Sequence, residues 1–74
     1  MPKTKVSKAY PMGGITPQSI IGAINNWCGE ENTIPESIHH VEVKPTVGIP
    51  NEIMGVTIVQ DPGAIPNTIH VKAN

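Results

Sequence analysis

Ile15-Thr16-Pro17-Gln18-Ser19-Ile20-Ile21-Gly22-Ala23-Ile24-Asn25-Asn26-Trp27-Cys28-Gly29 carries the clearest local signal in this chain. Thr16 has the side chain of an N-cap, whose oxygen accepts from an N–H that the first turn leaves unpaired. Pro17 fills the first helical position, where its missing N–H costs nothing, and Ser19 stands at the third. Ile15 and Ile20 flank the cap at the spacing of a hydrophobic staple. Ile20, Ile21, Ile24, Trp27 and Cys28 recur at helical spacing, with Asn25 and Asn26 on the other side. Gly29 then offers a left-handed stop. The spacing predicts an amphipathic helix over 17–28.

Beyond this stretch the chemistry turns to strands. Residues 37–44, 53–60 and 67–72 are β-type runs, separated by Pro45 to Asn51 and by Asp61 to Pro66. Asp61-Pro62-Gly63 is turn chemistry: proline presets φ and glycine accepts positive φ. Residues 4–10 read as a further edge strand. The chain has 11 Ile and 7 Val but no Leu, Phe or Arg, and stiff β-branched side chains suit a pleated sheet. No βαβ alternation is visible, which argues against a doubly wound parallel sheet. The expected fold class is α+β: one amphipathic helix packed on a small antiparallel sheet of three to four strands. Residues 1–74 read as a single small domain, with 1–11 a basic arm or an edge strand.

Length and charge remove several classes of function. At 74 residues, apolar burial and the entropy of ordering the chain nearly cancel. Such chains lean on a staple, a metal or a partner surface. Cys28 is the only cysteine, so an internal disulfide is excluded. No apolar run approaches the length of a membrane span. Lys3, Lys5 and Lys8 are followed by Pro11, Gly13 and Gly14 rather than by an apolar core, which does not make a secretory signal. The lack of disulfides makes an intracellular, cytoplasmic setting the expectation. With a net charge of −1 and no arginine, the chain lacks the basic field and bidentate donors of a nucleic-acid binder. The three N-terminal lysines read as a solvated tail.

A short pattern recurs. Ile34-Pro35-Glu36-Ser37-Ile38, Ile49-Pro50-Asn51-Glu52-Ile53 and Ile65-Pro66-Asn67-Thr68-Ile69 share one form, and Ile15-Thr16-Pro17-Gln18-Ser19-Ile20 is a looser copy. Two readings stand: a stacked repeat architecture, or prolines that open elements with isoleucine as the common core residue.

Candidate chemistry is sparse. Cys28, His39, His40 and His70 are the only transition-metal ligands besides carboxylates. His39 and His40 are neighbours on a strand, where successive side chains point to opposite faces, so the pair does not readily ligate one ion. No metal site and no cofactor are expected. Cys28 falls on the apolar helical stripe, as an inert thiol would. No nucleophile-elbow pattern surrounds Ser7, Ser19 or Ser37, and an enzyme is not expected. Gly13 and Gly14 precede the helix start, where free N–H groups and the dipole attract anions. Gly13, Gly14, Thr16 and Ser19 are therefore candidate ligands for a phosphate- or nucleotide-type anion. Trp27 and Tyr10 are the sole aromatics, candidate core residues or interface anchors. The functional expectation is a small non-catalytic protein that self-associates through sheet edges and a helix face. Its alternative is an oligomeric binder of a small anionic ligand at the helix start.

Overall fold

The computed structural model describes residues 6–73. In chain order these form β1 (Lys8–Pro11), α1 (Pro17–Glu31), a 3₁₀ turn (Pro35–Ser37), β2 (Ile38–Val43), β3 (Glu52–Ile53), β4 (Val56–Gln60) and β5 (Thr68–Ala73). This is the α+β class expected, with five strands where three or four were predicted. Of the residues read as an N-terminal arm or edge strand, 8–11 form β1, and Lys3, Thr4 and Lys5 lie outside the described residues.

The helix begins as its sequence dictates. Thr16 is extended, its Oγ1 accepts from Ser19 N, and Ser19 Oγ accepts from Thr16 N, closing a reciprocal capping box. Its end differs from expectation. The helix runs through Gly29 to Glu31, and Asn32 takes the left-handed conformation (φ 52°), its N–H donating to Cys28 O. Asparagine tolerates that conformation better than most residues. Glu30 and Glu31 sit at the negative end of the helix dipole, an unfavourable place for carboxylates. Lys8 on β1 offsets this with Nζ 3.0 Å from Glu30 and 3.3 Å from Glu31. Gly29 is thus an interior residue of an exposed turn, and a Cβ there would meet nothing within 4 Å. Gly29→Ala is therefore expected to raise stability by about 0.5–1 kcal/mol. A lower urea midpoint for this variant would mean that Gly29 is needed as the stop after all.

The strand order is β1-β5-β2-β4-β3. All neighbours pair antiparallel except β2 and β4, which run parallel with Val41 opposite Ile58. The antiparallel sheet expected from sequence is present apart from this one parallel pair. The run 53–60 is not one strand either, because Met54 (φ 56°) and Gly55 (φ 76°) turn the chain between β3 and β4. Two successive positive φ values define the type I′ turn, whose twist matches that of the strands it joins.

Because β2 and β4 are parallel, both leave the sheet at the same end. From there β2 must pass β4 to reach β3, and β4 must pass β2 to reach β5. Connections that overlap at one end of a sheet are rare. Here they are tied together: Lys44 Nζ donates to Pro62 O at 3.3 Å, and Thr46 N donates to Gln60 Oε1 at 2.9 Å.

The core lies between the helix and one face of the sheet. Ile20, Ala23, Ile24 and Trp27 come from α1, and Ile38, Val41, Val43, Ile53, Val56, Ile58, Ile69 and Val71 come from the strands. The repeated isoleucine–proline pattern acquires a meaning in this setting. In each copy the second isoleucine (Ile20, Ile38, Ile53, Ile69) is buried at the start of α1, in β2, in β3 and in β5. Proline opens the element and isoleucine anchors it in the core; the copies do not form successive layers of a repeat stack.

Candidate functional site

The helix covers one face of the sheet, and the opposite face is built from the alternate strand positions. Register places Ala9, His70, Glu42 and Val59 in one row across β1, β5, β2 and β4. Lys72 stands opposite His40 in a second row. Glu52 pairs with Thr57 at the β3 margin. The face therefore carries both signs of charge around one large apolar residue, Val59, which is exposed.

The most concentrated chemistry on this face comes from an irregularity in β2. Ile38 is opposite Ala73 and His40 is opposite Lys72, so the register shifts and His39 is extra. A β-bulge sets two residues against one and suspends the strict alternation of side chains. His39 and His40 accordingly lie side by side, their Nδ1 atoms 2.7 Å apart. This corrects the expectation that adjacent strand positions keep the two rings on opposite faces. Glu42 Oε2 accepts from His40 Nε2 at 2.8 Å. A trace of the bulge is present in the sequence: apolar positions 38, 41 and 43 are spaced three and then two apart, and a regular strand does not contain the interval of three.

The helix start is less available than its sequence promises. The Ser19 hydroxyl lies within hydrogen-bond reach of Gly14 O at 3.0 Å and of Thr16 O at 2.9 Å while accepting from Thr16 N, so the cap consumes it. Thr16 Oγ1 accepts from Ser19 N. Gly13 and Gly14 do not adopt positive φ, so they do not form the alternating concavity that cradles anions. Lys8 lies at the opposite end of the helix, paired with Glu30 and Glu31.

That opposite end holds the second cluster. Trp27 is fully buried and its indole N–H donates to Val6 O at 2.6 Å. It belongs to the core of its own chain, the first of the two roles its sequence position allowed. Tyr10 is half-buried against the same core, and its hydroxyl donates to Glu30 Oε1 at 2.6 Å. Burial and the hydrogen bond to Glu30 push the Tyr10 phenol well above its ordinary 10.0. The bonds to Glu30 and Glu31 raise Lys8 above 10.5, and those from Tyr10 and Lys8 lower Glu30 below 4.5. Burial also raises the Cys28 thiol.

The signs give a stability window. The Glu30 contribution is present above about pH 4.5 and is lost as pH falls through its lower folded value. The Tyr10 and Lys8 contributions are present below about 10 and are lost as pH rises through their higher folded values. Tyr10 is the only tyrosine, so phenolate absorbance reports it alone. Its midpoint is expected well above 10 in the native chain and at the ordinary value in denaturant. Equal midpoints in the two states would mean that the tie between β1 and the helix does not form.

Fold and site together define a small α+β protein with a single helix on one side of a five-stranded sheet and a polar, histidine-bearing face on the other. Comparison with protein families, with curated proteins and with solved structures returns no match. No helix among the described residues is long and apolar enough to cross a membrane.

Proposed function

We propose that this is a small non-catalytic self-association protein, and that copies meet through the open face of the sheet. The uncovered face, with its row Ala9–His70–Glu42–Val59, is the observation that carries this reading. Under a two-fold axis, Glu42 of one copy meets His70 or Lys72 of the other, so the surface is complementary to itself. A net charge of −1 leaves little general repulsion between copies.

The strand edges support association less well than the face. β3 is only two residues long and β1 ends in Pro11, and both features blunt an edge. The outward side of the helix presents Gln18, Asn25 and Asn26, all exposed. The open face is a plate of about 20 Å by 16 Å, from strand spacing and rise. That is smaller than the roughly 800 Å² per partner of a standard interface, so the metal-free dimer is weak, in the micromolar range or above. A chain with one free cysteine and no disulfide suits a reducing, intracellular compartment.

Sedimentation over a concentration series, with a chelator present, tests this reading. Wild type is expected to shift from monomer to dimer, Val59→Lys to remain monomeric, and Asn25→Lys on the helix to behave as wild type. A wild type that stays monomeric throughout, or a dimer indifferent to Val59→Lys and broken by Asn25→Lys, would overturn it.

A further inference from the structure

The bulge in β2 sets two imidazoles side by side with their Nδ1 atoms facing each other. We propose that His39 and His40 are half of a zinc-type site and that a second copy of this chain supplies the other half. The proposal rests on the open-face reading, since the faces must meet for the two halves to join.

The arrangement of hydrogens favours it. Ionised Glu42 can only accept, so the 2.8 Å bond fixes the hydrogen of neutral His40 on Nε2 and leaves the lone pair on Nδ1. A carboxylate behind a ligating histidine is the usual support of a zinc ligand: it holds the ring and raises its basicity. With His40 in that tautomer, the hydrogen in the 2.7 Å contact between the two Nδ1 atoms belongs to His39. Moving that hydrogen to His39 Nε2 frees a second lone pair beside the first, with no net release of a proton.

Distances agree with this role. A tetrahedral zinc ion with bonds of about 2.05 Å sets two nitrogens about 3.3 Å apart and their ring centres about 5 Å apart. Here the ring centres are 5.0 Å apart and the planes cross at 75°. The nitrogens are 2.7 Å apart, so admitting the ion means opening that gap by about 0.6 Å. Imidazole pairs select zinc, copper or nickel over magnesium or calcium.

The site is a half because one chain runs out of ligands. Among the described residues no group of three or more His, Cys, Asp and Glu is placed to hold an ion. A structural zinc ion takes four ligands, and a two-fold partner presenting the same pair completes the set. Lys72, opposite His40, opposes a cation, and Glu42 counters it from the same face. His39 is exposed, so both a second chain and the ion reach it.

Untagged full-length protein, stripped with a chelator and then titrated with zinc chloride, decides the matter by native mass spectrometry and sedimentation. Zinc is expected to tighten dimerisation at least tenfold, with one ion per two chains, and magnesium to have no effect. His39→Ala should abolish the zinc effect, so that its dimerisation is the same in zinc as in chelator. Glu42→Gln should weaken zinc binding by about 10–100-fold. No retained zinc, one ion per single chain without tightening, or tightening that survives His39→Ala would each overturn the half-site. A chain monomeric in chelator yet linked by zinc would refute the metal-free dimer of the open-face reading and leave the half-site standing. A chelator-resistant dimer indifferent to zinc would do the reverse.

Discussion

Trp27→Ala is expected to be the most damaging single substitution, at about 3–5 kcal/mol. The indole is fully buried, is the largest side chain in the core, and ties the helix to Val6 O through a 2.6 Å hydrogen bond. Truncation leaves a cavity beneath the helix and a backbone carbonyl without its partner. Small domains hold about 0.05–0.15 kcal/mol of stability per residue, so the loss takes roughly half of what this chain has. Urea unfolding followed by far-ultraviolet circular dichroism measures it, because the variant lacks the only tryptophan. Trp27→Phe, which keeps most of the apolar area and loses the donor, should fall between wild type and Trp27→Ala. A cost for Trp27→Ala below about 1 kcal/mol would place the residue outside the core.

The second large effect is a contrast within one copy of the recurring pattern. Ile69→Ala is expected to cost about 2–5 kcal/mol, and Ile65→Ala less than about 0.5 kcal/mol. Ile69 is 0% exposed on β5, which is paired on both sides, whereas Ile65 is 56% exposed in the preceding loop. The same split is expected in the copy before β2, where Ile38 is 6% and Ile34 56% exposed. Equal costs at Ile65 and Ile69 would contradict the view that proline opens the strand and only the second isoleucine anchors it. A stacked repeat, burying both, would produce that equality.

These two results bear on what the copies share. Four isoleucine–proline segments begin one helix and three strands, so the pattern specifies a transition from loop to core and not a type of secondary structure. Type is decided by the residues downstream of each proline. After Pro17 come residues of helical period, and after Pro35, Pro50 and Pro66 come β-branched residues in near alternation. The first isoleucine has no common role, being buried only at Ile49 among the three strand copies.

The candidate site was legible only in part. His39, His40 and His70 stand out in a chain with little other chemistry, and their strand positions follow from the apolar residues around them. The pairing of the first two does not follow, because it depends on a bulge whose trace is a single irregular interval between Ile38 and Val41. Nor does the tie from Lys8 and Tyr10 to Glu30 and Glu31, whose Lys8–Glu30 pair spans 22 positions of chain.

By itself the sequence determined the start of the helix and the β character of the remainder. Each rests on interactions within a few residues: a cap closed between Thr16 and Ser19, a proline that presets one φ, an alternation that assigns faces. Tertiary structure decided where the helix ends, because Glu30 and Glu31 are held by a strand distant in sequence. It decided that Met54-Gly55 is a turn, since β4 had to reverse beside β3 and also run parallel to β2. It placed Trp27 inside its own chain and brought two histidines onto one face. Those outcomes depend on which apolar faces bury one another across long loops, a competition among distant segments that no local spacing records.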